Sequence, residues 1–197
     1  MNENSTSKQN ENPRTTRVRE LVLHAAVELL LSGGPREVTA ARVAEETGVA
    51  RTTIYRQWPD QPSLLLATID TLVAPHSPTP STGEFPDDLN TVLTNLRIRL
   101  VTRRVRPVFA ALVDHASRDP AFVASQRRFV GSMVQPTIDV LVDAQQRGYL
   151  PATLDCSVAA TMLTGPIFHQ HLLMQETIED DLIDQIASQF IEAHVTA

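Results

Sequence analysis

The stretch from Thr39 to Trp58 constrains the fold most strongly, because it predicts two short helices joined by a tight turn. Threonine at position 39 is a residue type that caps helix N-termini, although the capping-box partner three residues later is absent. Gly48 supplies the positive φ at which helices commonly end. After the turn, Ile54 and Trp58 stand four residues apart and share one face of the second helix. The pattern predicts a helix-turn-helix unit.

The opposite face of the second helix carries side chains that suit contact with DNA. Arg51, Thr52, Tyr55 and Arg56 fall on this face and offer charged donors, a hydroxyl and an aromatic ring. The N-terminal residues of a recognition helix reach base edges, so we assign Arg51, Thr52 and Thr53 to bases. Tyr55 and Arg56 are expected to contact phosphates or neighbouring bases.

Three further residues are candidates for contacts with the DNA backbone. Thr39 could bind a phosphate from its helix N-terminus. Arg14 and Arg17 lie in the first turns of the first helix, where a solvated arginine is the commoner interpretation. The alternative for the whole motif is a pair of surface helices with an ordinary glycine turn. The basic, hydroxyl-rich outer face favours DNA binding.

Helical periodicity continues along the chain, with no strand pattern and no repeat, so we predict an all-α protein with about nine helices. Asp119-Pro120 and Asp155 begin two of the predicted helices. Pro136 is expected to kink the first of these without ending it, and Gly165-Pro166 to bend the second. The expected organisation is a disordered arm at 1–13, a three-helix helix-turn-helix domain at 14–60, and a C-terminal helical bundle at 61–197 with a loop at 75–86.

The formal net charge of −6 is unevenly distributed. Residues 1–60 contain eight Lys/Arg and eight Asp/Glu, so the excess of acidic residues lies in 61–197. Arginines of the N-terminal part can therefore still meet phosphates at short range. A second group of arginines is interpreted as solvated cations near a helix C-terminus, with a second nucleic-acid site as the minor hypothesis. This group comprises Arg97, Arg99, Arg103, Arg104 and Arg106.

No constellation of catalytic residues is visible. Cys156 is the single cysteine, which excludes an internal disulfide and favours a reducing compartment. It stands at a predicted helix start, where a lowered thiol pKa is possible, but it has no evident partner. His169 and His171 are two residues apart and point in different directions on a helix. We expect no enzyme activity, cofactor or metal. The polar Met1–Asn12 segment and the lack of a long apolar run favour a cytoplasmic protein without membrane contact.

The run from Thr39 to Asp60, with Ile54-Tyr55-Arg56-x-Trp58 at its core and Leu64-Leu65-Leu66 after it, resembles the DNA-binding domain of TetR-family transcriptional regulators. The resemblance covers about residues 14–75 closely and the remainder in layout. Gln57 departs from the pattern, since many relatives carry histidine there.

The resemblance implies a homodimeric repressor that binds a palindromic operator and is released by a small molecule. Residues 61–197 would then bind the ligand and form the dimer, through helices at about 155–173 and 178–193. The effector is expected to be apolar or aromatic. Two alternatives remain: a helix-turn-helix regulator without a ligand, and a helical carrier or enzyme with a vestigial DNA-binding head. Candidate pocket residues are Phe109, Leu112, His115, Phe129, Met133, Met162, Phe168 and His169.

Overall fold

The computed structural model of the protein describes residues 13–73, 82–102 and 104–195. Over these ranges the chain forms nine α-helices and no strand, which confirms the all-α prediction. The expected arm before Pro13, the Arg14 side chain and the first part of the 75–86 loop lie outside the description.

The helices follow one another with short connections. No helix in the described part of the chain is long and apolar enough to cross a bilayer. Their bounds are α1 Pro13–Gly33, a 3₁₀ turn Pro35–Glu37, α2 Ala40–Thr47, α3 Arg51–Gln57, α4 Gln61–Thr71, α5 Phe85–Thr102, α6 Arg106–Ala116, α7 Pro120–Gln146, α8 Cys156–Phe168, a π-helix His169–Met174, and α9 Asp180–His194.

The chain divides into two compact units, one ending at Thr71 and the other beginning at Leu72. The sequence predicts a boundary at residue 60, whereas α4 belongs to the N-terminal unit. The reason is burial: Leu64, Leu65 and Ile69 of α4 are almost completely buried, and α4 packs against α1. Removing that apolar face from water ties α4 to the N-terminal unit.

The N-terminal unit is built on α1, which packs against α2 and α4. The periodicity of α1 predicts an apolar stripe of Val18, Leu21, Val22, Ala25, Ala26, Leu29 and Leu30. In the structure Leu21 is 48 % exposed, and Leu23 is buried. Both residues flank the axis defined by Val22 and Ala26, so periodicity alone could not decide between them. Packing against the neighbouring helices selects Leu23.

In the C-terminal unit, α7 packs against α5, α6 and α8, and α9 packs against α5 and α8. The core contains the fully buried rings of Phe85 and Phe122 and the nearly buried ring of Phe129. Phe85 begins α5, so the loop that was expected to extend to residue 86 ends earlier. Burial of a large aromatic side chain at the helix start explains the difference.

Helix α7 runs through Pro136, as predicted. Proline has no backbone N–H, so the carbonyl of Ser132, four residues earlier, loses its usual helical donor. Nη1 of Arg99 donates a hydrogen bond to this carbonyl at 3.3 Å. The arginine from α5 thus satisfies a group that the proline leaves without a partner.

The interpretation of the arginine group as solvated cations was wrong for Arg97 and Arg99, which are half-buried, whereas Arg106 is exposed and also binds a backbone carbonyl. Arg97 donates to the Ile178 carbonyl at 3.3 Å and lies 2.6 Å from an Asp180 carboxylate oxygen at the start of α9. Like Arg99 and Arg106, it reaches a backbone carbonyl of another element. A guanidinium has five donors on a long stem, which suits it to join helices at such carbonyls. Arg103 lies outside the described residues.

We expect Arg99→Met to lower the free energy of unfolding by about 1 kcal/mol, because the Ser132 carbonyl loses its donor. In a Pro136→Ala background the cost should be smaller by about 0.5 kcal/mol or more, because alanine restores the backbone N–H. Urea unfolding of the wild type, the two single variants and the double variant measures the coupling energy between Arg99 and Pro136. The contributions of the other Arg99 contacts cancel in the difference. Equal costs of Arg99→Met in both backgrounds would contradict the assignment.

Candidate nucleic-acid interface and ligand cleft

Local hydrogen bonds define both ends of α2. The Thr39 hydroxyl oxygen accepts a hydrogen bond from the Arg42 N–H at 3.2 Å, so Thr39 is the N-cap that the sequence predicted. Gly48 follows α2 with φ 71°, and its N–H donates to the Ala44 carbonyl at 2.9 Å. An L-residue with a side chain rarely adopts this backbone conformation, which explains the glycine.

Buried side chains fix the orientation of α3. Ile54 is completely buried and Trp58 almost so. The Arg19 guanidinium of α1 lies over the Trp58 ring, 5.3 Å from its centre. At the turn, the Thr47 hydroxyl accepts from the Val49 N–H at 3.2 Å. With one face of α3 anchored in the core, the opposite face must point to solvent.

The solvent face of α3 consists of the predicted residues. Arg51, Thr52, Tyr55 and Arg56 are exposed, Tyr55 at 51 %, and Thr53 is half-buried. Neither Arg51 nor Arg56 forms an ion pair with a residue in the described ranges. The face therefore combines uncompensated positive charge with an exposed aromatic ring.

Arg42 of α2 differs from these arginines. Its guanidinium lies 3.4 Å from Glu37, 2.8 Å from Glu45 and 3.7 Å from Glu46. The hydrogen bond with Glu45 is the main cause of a raised Arg42 pKa. Three carboxylates thus neutralise this charge, and the positive potential of the motif concentrates on α3.

The remaining candidates of the N-terminal unit are Thr39, which is half-buried with its hydroxyl in the cap, and Arg17, which is exposed on α1. Arg17 makes no ion pair within the part of the chain that the structure describes. Gln57 is the residue that differs from the histidine of many relatives. Its side-chain amide oxygen is buried and has no hydrogen-bond partner among the described residues.

The C-terminal unit contains a cleft of about 700 Å³ between α6, α7, the end of α8 and the π-helix. Sites for small molecules typically measure about 300–1,000 Å³. The lining residues are Arg106, Pro107, Phe109, Ala110, Val113, Gln126, Gly165, Phe168, His169, Leu172, Leu173 and Gln175.

Three of the predicted pocket residues line this cleft: Phe109, Phe168 and His169. The rings of Phe109 and Phe168 are 5.9 Å apart between centres. Phe129 is buried behind them and meets Phe109 edge-on at 5.6 Å. These aromatic contacts hold one wall of the cleft in place.

The other predicted pocket residues lie elsewhere. Leu112 and Met133 are buried in the core, and His115 stacks on Phe122 with ring centres 4.6 Å apart. Met162 is 69 % exposed on the surface of α8 and does not line the cleft.

Of the residues of α6 that line the cleft, the sequence analysis identified Phe109 but not its neighbours on the same helical face, although their spacing could have indicated them. Arg106, Phe109, Ala110 and Val113 follow the i, i+3, i+4, i+7 spacing of a single helical face. The wall formed by Leu172 and Leu173 had no such signal, because it depends on the widening of α8 into a π-helix. π-helical turns are rare and often occur at functional sites.

Arg106 holds the π-helix through several hydrogen bonds. Its Nε donates to the His171 carbonyl at 3.0 Å, and its Nη2 lies 3.4 Å from Nδ1 of His171 and 3.5 Å from the Glu176 carbonyl. Burial, followed by the Arg106 charge, lowers the pKa of His171, while a hydrogen bond to the Leu100 backbone opposes the shift. The imidazole is therefore neutral at pH 7, and its Nδ1 can accept a hydrogen bond from the Arg106 guanidinium.

Cys156 is buried at the start of α8. Burial is the main cause of its raised pKa, and the neighbouring Asp155 adds to it. The lowering that a helix N-terminus can produce is therefore not realised, and the thiol stays protonated at neutral pH. Within 13–73, 82–102 and 104–195, no three His, Cys, Asp or Glu side chains gather as ligands for a metal ion.

The lowered pKa of His171 makes stability depend on pH. The unfolded chain takes up a proton near pH 6.5, whereas the folded chain does so only at lower pH, so the free energy of unfolding falls as the pH drops below about 6.5. We expect the melting temperature to fall more between about pH 7.5 and about pH 5.5 in the wild type than in His171→Gln. The same slope in His171→Gln as in the wild type would refute the prediction.

Comparison with known proteins gives concordant results for both units. Residues 22–68 match the profile described as bacterial regulatory proteins, tetR family, and residues 79–190 match the tetracyclin repressor-like C-terminal domain. The uncharacterized HTH-type transcriptional regulator YdeS of Bacillus subtilis is 28 % identical over 94 % of both chains.

Solved structures share the fold. The TetR family transcription regulator SCO0332 is 27 % identical and superposes with a TM-score of 0.64 over 89 % of this chain and 97 % of its own. A transcriptional regulator from Saccharomonospora viridis, solved in complex with choline, is 19 % identical with a TM-score of 0.66 over 92 % and 100 % of the two chains. Because the C-terminal profile alone spans more than half of the sequence, the chain belongs to the TetR family of transcriptional regulators.

Proposed function

We propose that the protein is a homodimeric repressor that binds a palindromic operator and is released from it by a small-molecule effector. The observation that carries the proposal is the solvent face of α3, where Arg51 and Arg56 have no ion-pair partner among the described residues and Tyr55 is half exposed. Uncompensated arginines beside an exposed aromatic ring match the chemistry of phosphates and base edges.

The roles of the individual residues follow from their positions on the motif. Residues at the start of a recognition helix reach base edges in the major groove. The remaining contacts go to phosphates and fix the register without carrying sequence information. The proposed base contacts are Arg51, Thr52 and Thr53, and the proposed backbone or flanking contacts are Tyr55, Arg56, Thr39, Arg14 and Arg17.

Support for the homodimer comes from apolar side chains that the single chain leaves accessible. Val158 and Met162 are exposed one helical turn apart on α8, and Leu182 and Ile186 are half-buried with the same spacing on α9. A two-fold interface requires such a self-complementary patch. We assign it to the expected segments at about 155–173 and 178–193. The two heads would then meet half-sites roughly 34–36 Å apart, one turn of DNA.

The cleft of the C-terminal unit supports the proposal that a small-molecule effector binds there. Its volume and aromatic wall suit a small apolar or aromatic molecule, and a structural relative holds choline. An effector releases DNA only if it binds the non-binding arrangement of the dimer more tightly than the DNA-binding one. We propose that its presence favours a head spacing that does not fit the operator.

Selection from random duplex DNA tests the proposed function. We expect the wild type to enrich one palindrome. Arg51→Ala should bind it about 10- to 100-fold more weakly and lose preference at one base position. Tyr55→Ala should weaken binding to the same palindrome. Fluorescence anisotropy with labelled duplexes at fixed salt measures both changes.

Arg118→Ala is the matched control, because Arg118 is an exposed arginine of the C-terminal unit that pairs with Asp114. It removes the same charge and should leave operator affinity unchanged. If the wild type enriches no sequence, or if Arg118→Ala weakens binding as much as Arg51→Ala, α3 is not the recognition helix. A helical carrier with a vestigial head would then be the better hypothesis.

A further inference from the structure

The lining of the cleft in the C-terminal unit contains a positive charge and, among the described residues, no negative one. Among the described residues that line it, none is an aspartate or a glutamate, whereas Arg106 contributes a full positive charge. The other polar lining residues are Gln126, His169 and Gln175. A ligand that enters the cleft therefore meets a cation and neutral amides, with no carboxylate to balance them.

Arg106 is held in one orientation by neutral acceptors. Nε and Nη2 are bound by the His171 carbonyl, the His171 imidazole and the Glu176 carbonyl. Nη1 has no hydrogen-bond partner, and Arg106 no ion pair, within the described ranges. The guanidinium is thus pre-oriented, with its charge uncompensated and one amino group free to donate.

The rest of the cleft is apolar and incompletely covered. The rings of Phe109 and Phe168 are inclined at 53° to each other, and Phe129 supports them from the core. Val113 and Leu173 line the cleft although they are 61 % and 70 % exposed. Clustered apolar side chains that face water in this way commonly mark a binding site.

We propose that this cleft binds a small monocarboxylate with an apolar, preferably aromatic body, whose carboxylate accepts hydrogen bonds from Nη1 of Arg106. The body lies against Phe109 and Phe168 and covers Val113 and Leu173. The proposal rests on the function proposed above, since it names the chemical class of the effector. Apolar burial supplies most of the affinity, and the arginine supplies the selectivity for the anion.

Other charge classes fit the cleft less well. The two phenylalanine rings could attract a quaternary ammonium group through cation–π interaction, but Arg106 repels a cation in the same cleft and no lining carboxylate offsets the repulsion. A phosphate monoester carries close to two negative charges and would need more than one cation. A monoanion matches the single guanidinium.

The test compares probes that share an apolar body and differ in the head. We would use 4-phenylbutyrate, 1-naphthoate and decanoate, each with the matched primary alcohol and the matched trimethylammonium compound, and measure binding to the full-length protein by isothermal titration calorimetry. We expect a carboxylate to bind at least about tenfold more tightly than its matched alcohol and cation. Equal affinities, a preferred cation, or no binding of any carboxylate at about 1 mM would overturn the proposal.

Two variants assign the selectivity to the cleft. Arg106→Gln should reduce carboxylate affinity by about tenfold and leave alcohol affinity unchanged. Because Arg106 also holds the π-helix, a second variant avoids loss of folding: Val113→Glu places a carboxylate at an exposed position of the cleft wall and should reverse the preference towards the cation. Ala152→Glu, which adds the same charge at an exposed residue between α7 and α8, outside the lining and outside the proposed dimer segments, should retain the wild-type preference. An unchanged preference in Val113→Glu would place the carboxylate elsewhere and overturn the proposal.

The DNA selection described above separates the two proposals. A wild-type protein that enriches a palindrome but binds no carboxylate retains the proposed regulatory function and overturns the effector class. A protein that binds carboxylates in the cleft but enriches no DNA supports the ligand class and overturns the regulatory function.

Discussion

Burial of Ile54 and Trp58 in the N-terminal unit is the interaction on which the DNA-binding face depends. These two side chains anchor one face of a helix that is only seven residues long and would have little stability alone. Gly48 makes the turn that brings α3 onto this core, and Arg19 covers the Trp58 ring. Because the inner face is fixed, the outer face carries its arginines and tyrosine into solvent in a defined orientation. The residues that we propose as DNA contacts therefore need no ion pairs within the described part of the chain to hold this orientation.

In the C-terminal unit, two helices contain interior prolines, which lack a backbone N–H and therefore leave carbonyl groups without their usual donors. The Ser132 carbonyl, left without a donor by Pro136, is satisfied by Arg99 of α5. Downstream of Pro166, α8 widens into the π-helix, whose end is held by Arg106. Arginines thus bind the carbonyls that irregular helix segments expose. Residues of the π-helix line the cleft, and Arg106, which holds this segment, also contributes the positive charge of the lining.

Features that depend on local backbone chemistry were predictable from the sequence. The Thr39 cap, the left-handed Gly48 and the passage of α7 through Pro136 follow from side-chain and backbone preferences of the residues themselves. Features that depend on partners distant in sequence were not. The assignment of α4 to the N-terminal unit, the burial of Leu23 in place of Leu21 and the arginine contacts are all decided by which helices meet. The pocket prediction was limited for the same reason. It selected large apolar residues and two histidines, whereas the residues that line the cleft depend on which face α6 presents and on the position of the π-helix.

We propose that the cleft and α3 are coupled, so that binding of an effector and binding of the operator oppose each other. Thermodynamic linkage makes such coupling reciprocal. The most direct measurement is the affinity for the selected operator with and without a saturating concentration of the carboxylate that binds most tightly, together with the carboxylate affinity with and without operator. We expect each ligand to weaken the binding of the other by the same factor, about 5- to 150-fold. Operator affinity that does not change under saturating carboxylate would contradict the proposal.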